Sequence, residues 1–128
     1  MNSPHDLASS WWDSLTPAQR EIWLDAAQSG GRGRTPIEAY GLRRDIQAGA
    51  PVLRTYRTEN GFFAAQIITD GQTVLGIGGY ATVQEIRRIA EQHGFPDIPV
   101  LYAQFLTDVP GFDASQEDEP SPTHKLTR

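Results

Sequence analysis

The densest group of charged side chains in this sequence lies between Arg32 and Arg57. Arg32, Arg34, Arg43, Arg44, Arg54 and Arg57 are opposed there only by Glu38 and Asp45. Guanidinium groups gathered in this way suit a phosphate backbone, where affinity comes from neutralised charge. Gly30-Gly-Arg-Gly-Arg34 reads as a flexible basic loop that could follow such a backbone. It reads equally as a solvated linker whose arginines pair with acidic residues elsewhere. Gly76-Ile-Gly-Gly-Tyr-Ala-Thr82 leads from a strand into a helix, a place where backbone N–H groups can meet a phosphate. It has neither the G-x-G-x-x-G spacing nor the Lys-Ser/Thr of a phosphate-binding loop. The plainer reading is glycine used for close packing of strand on helix and for an unusual φ.

No catalytic constellation emerges. There is no cysteine, so thiolate chemistry, disulfides and cysteine metal sites are excluded. His5, His93 and His124 are too far apart in sequence to suggest a metal pair, and His93 reads as a helix C-terminal residue. The serines lack a nucleophile-elbow context. Asp13, Glu21 and Asp25 read as solvated helix surface. The expectation is a non-enzyme without metal or cofactor. Trp11, Trp12 and Trp23 read first as core anchors; if exposed, Trp11 and Trp12 would mark a surface for a protein partner.

The elements that position these groups announce themselves at their ends. Thr16-Pro-Ala-Gln19, Thr35-Pro-Ile-Glu38 and Thr82-Val-Gln-Glu85 each place Thr at an N-cap and Gln or Glu at N3, the reciprocal capping box. Two of them add Pro at N1. The spacing predicts helices from these caps to about Ser29, about Gln47 and His93, the last with Gly94 just beyond its end. A short helix over Leu7–Ser14 precedes them. Between the second and third capped helices, Val52–Glu59, Phe62–Thr69 and Gln72–Gly78 alternate around Asn60-Gly61 and Asp70-Gly71, which predicts a meander.

A two-residue turn at Asn60-Gly61 pairs Tyr56 with Ala65. A three-residue turn with a bulge at Gly71 then brings Tyr56, Phe63, Ala65, Ile67, Leu75 and Ile77 onto one face. Val83, Ile86, Ile89 and Ala90 of the last helix cover that face. Leu53, Thr55, Arg57, Phe62, Ala64, Gln66, Ile68 and Val74 fall on the other. Their apolar members form a patch too large to leave open, to be covered by the N-terminal helices or by a second subunit, as in a homodimer. Val100–Leu106 is apolar enough for a last strand.

The predicted class is therefore α+β: N-terminal helices, a three-stranded antiparallel meander, a helix and a last strand. One domain spans residues 7–110, helical over 7–50 and β-β-β-α-β over 51–110. Residues 1–6 and the acidic, Pro-interrupted stretch 111–128 read as disordered. With 128 residues, one such domain with tails is what the length accommodates. No long apolar run predicts a membrane span, and Met1–Ser10 has no signal-peptide pattern, so the expected location is cytoplasmic.

Tyr56–Gly94 resembles the three-strand-plus-helix DNA-binding module of integrase arm-binding domains and of Apetala-type transcription factors. The resemblance lies in Gly61-Phe-Phe-Ala-Ala-Gln-Ile67, Leu75-Gly76 and Tyr80-Ala-Thr-Val-Gln-Glu-Ile86. It implies a sheet face that reads the major groove. Trp11–Ala27 is similar to short uncharacterised proteins of actinobacterial phages and plasmids, which implies an accessory protein of a mobile element. Two functional expectations follow. The first is a small non-catalytic nucleic-acid-binding module using Arg32, Arg34, Arg43, Arg44, Arg54 and Arg57. The second is a protein-interaction module with no nucleic-acid contact, acting on a host protein.

Overall fold

Threonine hydroxyls set where the long helices begin. Thr16 Oγ1 accepts the Gln19 N–H at 3.1 Å, and the Gln19 side chain accepts the Thr16 N–H at 2.9 Å. Thr82 and Glu85 make the same exchange at 3.2 and 3.1 Å. Thr35 accepts the Glu38 N–H at 3.2 Å in a one-way cap. In a computed structural model that describes residues 4–106 and 108–112, these caps open α2 (Pro17–Ser29), α3 (Pro36–Gln47) and α4 (Val83–Gln92). They follow α1 (Pro4–Asp13). The three capped helices also end alike, with an N–H reaching back across the last turn: Arg32 to Ala27 O, Ala50 to Asp45 O and Phe95 to Ala90 O. The Gly30-Gly31 stretch thus closes the end of α2 and leads into the basic segment that follows.

The strands are β1 (Val52–Arg57), β2 (Phe63–Thr69), β3 (Gln72–Tyr80) and β4 (Val100–Tyr102). They form one mixed sheet in the order β3-β2-β1-β4, with β4 parallel to β1 and the other pairs antiparallel. The class is α+β. β4 is shorter than the expected Val100–Leu106.

The two turns exchange the roles expected of them. At the first, the Thr58 N–H donates to Phe62 O at 2.8 Å, and the Gly61 N–H to Thr58 O at 3.0 Å. The loop is therefore Glu59-Asn60-Gly61, three residues, with Gly61 at φ +87°. At the second, Thr69 pairs with Gln72 around Asp70 and Gly71, both at positive φ, as a two-residue primed turn requires. Tyr56 consequently faces Ala64 instead of Ala65.

A one-residue slip turns every side chain of a strand over. Leu53, Thr55 and Arg57 of β1 join the α4 side, while Val52, Arg54 and Tyr56 face away from it. The β2–β3 sets still merge as expected, Ala65 opposite Ile77 and Ile67 opposite Leu75. The bulge that merges them sits inside the strand, between Ile67 and Ile68, where Val74 is the extra residue on β3.

Each sheet face carries its own core. Leu53, Ala65, Ile67, Ile77, Val100 and Ile98 pack with Ile86 and Ala90 of α4. On the other face Val52 and Leu101 join Trp11, Trp23, Ala26, Ala27, Ala39, Tyr40 and Leu42 of the N-terminal helices, with Ile68 partly buried against them. The result is helices, sheet and helix in three layers. The helical layer meets the sheet chiefly where α2 lies over β4.

The patch expected on that face therefore divides. Leu53 leaves it, Ala64 is buried (5% exposed), Ile68 is partly buried against the helices, and Phe62 (44% exposed) and Val74 (54%) remain open. Ile68→Asp is expected to cost about 2–3 kcal/mol in urea unfolding. Phe62→Asp should change stability by no more than about 0.5 kcal/mol. Equal losses would mean that the helices cover the whole face.

The domain edges also shift. Pro4–Asp6 form the first turn of α1, within the stretch read as disordered. Gly111 and Phe112 belong to the helical layer: the Trp11 indole N–H donates to Gly111 O at 3.0 Å, and Phe112 stacks on Trp23 at 6.5 Å. The remaining acidic stretch from 113 onward, with His124, lies outside the described residues, as do residues 1–3.

Candidate interaction face

The arginine group does not assemble into one cationic surface. Arg43 is 0% exposed. Its guanidinium carbon lies 5.5 Å from the Trp11 ring centre and 5.6 Å from that of Phe112. A phosphate could reach it only by opening the core, so Arg43 is withdrawn from the nucleic-acid set. Its neighbour on α3, Arg44, is exposed and lies over Tyr40, donating to the phenol oxygen at 3.4 Å. Arg32 is paired with Asp45. Arg34 pairs with Asp25 at 2.5 Å and Glu21 at 3.0 Å, and donates to Gln28 at 3.1 Å. The bond to Asp25 is the main cause that holds the Arg34 guanidinium above its ordinary value. Arg34 is bound to carboxylates of α2 within the folded domain.

Arg54 and Arg57 part company because they are three residues apart on a strand. Arg57 lies over the Phe63 ring at 4.5 Å and donates to Gly61 O at 3.1 Å, on the α4 side. Arg54 faces the other way and donates to Gln66 Oε1. Its Nε is buried with no hydrogen-bond partner among the described residues, and burial pulls its guanidinium below the ordinary arginine value.

The tryptophans settle as core. Trp11 is 4% exposed, meets Trp23 edge-on at 5.3 Å and cannot anchor a partner. Trp12 is half-buried, with the Arg20 guanidinium over its ring at 5.5 Å. The partner-surface alternative for Trp11 and Trp12 is therefore corrected at Trp11, which is core, while Trp12 keeps part of its surface in solvent.

What stays open is the β2–β3 half of the sheet face turned away from α4. Gly76 and Gly78 are exposed and carry no side chain, and a methyl at Gly76 would meet nothing within 4 Å. Gly76 and Gly78 are therefore not spacers between strand and helix, while the unusual φ expected of this stretch falls at Gly79, φ +82°. Ala64, beside Gly78, is buried, and the partly buried Arg54, Tyr56 and Gln66 continue the face toward β1. Phe62 and Val74 stand at its margins. The floor is small-residue backbone, and the rim is aromatic, aliphatic and amide with one cation. Phe105 (68%) and Leu106 (46%), in the chain beyond β4, add further exposed apolar surface.

Sequence reasoning missed this face in part. A register of β1 off by one puts Tyr56 in the core, and a count of charge along the chain puts Arg54 in a linear arginine block. His93 caps α4 through its backbone N–H and is exposed, as expected of a helix-terminal residue. Among the described residues no group of His, Asp and Glu is placed to hold a metal ion. No helix among them is long and apolar enough to cross a membrane. Comparison of the chain with protein-family models, curated proteins and solved structures finds no match.

Proposed function

We propose that the protein is a non-catalytic protein-interaction module whose partner docks on the open β2–β3 half of the sheet. The observation that supports this most is the exposure of Phe62 and Val74, both about half exposed, at the two ends of a strip in which Gly76 and Gly78 are also exposed. Tyr, Arg and Phe next to small residues are the composition from which interface anchors are drawn. The nucleic-acid reading keeps support from Arg54, Tyr56 and Gln66, side chains able to bond bases or phosphates on a sheet face. It loses support from the pairing of Arg32 and Arg34 and the burial of Arg43, since phosphate binding draws on cations free of other partners.

A photo-crosslinking amino acid at position 62 should yield a discrete protein adduct in the native cell, abolished by Val74→Lys. The same group at Ile37, exposed on α3, should yield none. Absence of an adduct at position 62 would sink the reading. Fluorescence anisotropy with labelled DNA and RNA at low salt should show no saturable binding. Binding that weakens steeply with salt and is lost in Arg54→Ala would put nucleic acid in place of the protein partner.

A further inference from the structure

A cleft of about 470 Å³ lies on the other side of the molecule, between the C-terminal half of α2, the first turns of α4 and β4. Asp25, Gln28, Gln84, Arg87 and Tyr102 line it, with Val83 and Val100 supplying apolar surface. Its size falls in the range of small-molecule pockets. Its walls are braced across the fold. Arg87 Nη2 donates to Ser29 O at 3.0 Å, and the Val100 N–H donates to Ser29 Oγ at 2.8 Å.

Charge in the cleft is unevenly satisfied. Among the described residues the one carboxylate lining it, Asp25, is already held by Arg34. Arg87 makes no ion pair among the described residues; its single bond to a backbone carbonyl leaves further guanidinium N–H donors for the cleft. Tyr102 makes no hydrogen bond among the described residues. Burial, and then the nearby Asp25, raise its phenol above the ordinary range, while Arg57 opposes this. It therefore stays a neutral O–H donor. Gln28 accepts from Arg34 through Oε1, which leaves its amide N–H groups to donate.

We infer that this cleft binds a small organic molecule bearing a carboxylate or phosphate group, with Arg87 as the anchor of the anion and Tyr102 as a second donor. Val83 and Val100 would take an apolar body attached to that group. The site is separate from the sheet face proposed for a protein partner and does not depend on it.

Titration of ¹⁵N-labelled protein with benzoate and with inorganic phosphate tests this, with sodium chloride as the ionic-strength control. At additions up to about 50 mM, a millimolar site saturates. The expected result is a saturating shift of the Arg87 Nε–H and of the Val83 and Gln84 amides. Arg87→Gln should weaken binding about tenfold or more, the usual effect of losing a charge-assisted bond. Should that variant lose its dispersed spectrum through its link to Ser29, Tyr102→Phe replaces it and should weaken binding severalfold. Shifts that grow linearly as with chloride, or an affinity unchanged in the folded variant, would overturn the proposal.

Discussion

Trp23→Ala is expected to lower stability by about 3–5 kcal/mol, the usual range for a large aromatic removed from a core. Trp23 is 0% exposed and holds two distant parts of the chain together. Its indole N–H donates to Pro110 O at 2.5 Å. Its ring takes Trp11 edge-on at 5.3 Å and 81°, and Phe112 in a stack at 6.5 Å and 25°. Alanine would leave a cavity, a buried carbonyl without its donor, and Phe112 without its stacking partner. Trp23→Phe keeps most of the ring volume but not the N–H, so it should cost about 1–3 kcal/mol, the penalty of an unsatisfied buried acceptor. Urea unfolding followed by circular dichroism measures both. Limited proteolysis should show cleavage near residues 108–112 in the alanine variant before the sheet unfolds. A loss below about 1 kcal/mol for Trp23→Ala would mean that this indole is not what closes the helical layer.

Leu53→Asp is expected to abolish cooperative folding, while Tyr56→Asp should be tolerated at a cost of about 1 kcal/mol. Leu53 is 0% exposed between Ile67 of β2 and Val100 of β4, under α4. A carboxylate there has no partner and no water. The penalty, several kcal/mol, is comparable to the whole stability of a small domain. Tyr56 is only partly buried and lies on the opposite face. The two results together report the register of β1 against β2. Had Tyr56 paired with Ala65, Tyr56 would be the core residue and Leu53 the outer one, and the two variants would exchange phenotypes. Thermal unfolding of both proteins decides between the registers.

How much of this was legible beforehand depends on the range of the interactions involved. The helix starts at Thr16, Thr35 and Thr82 are bonds between residues three apart, so sequence alone located them. The ends at Ser29 and Gln47, and Gly94 beyond α4, were legible for the same reason. The α+β class and the covering of the meander by Ile86 and Ala90 followed from periodicity.

The register of β1 was not legible, because Asn60-Gly61 and Asp70-Gly71 each suit a two- or a three-residue turn at similar local energy. Contacts beyond the dipeptides separate them. Thr58 Oγ1 reaches Phe62 O at 3.0 Å and stands beside the longer first turn, and the Asp70 N–H donates to Gly49 O of the α3 cap at 3.0 Å beside the tighter second one. The same holds for the candidate sites. Arg43 looks like Arg44 in sequence, and only the arrival of Phe112 and Trp11 beside its guanidinium places it in the core. Arg87 and Tyr102 share a cleft because β4 runs parallel to β1 beneath α2. Capping and periodicity act within a few residues and are written in the chain itself. Register, burial of a cation and the meeting of donors in a cleft are set by groups tens of residues apart, which only the packed layers bring together.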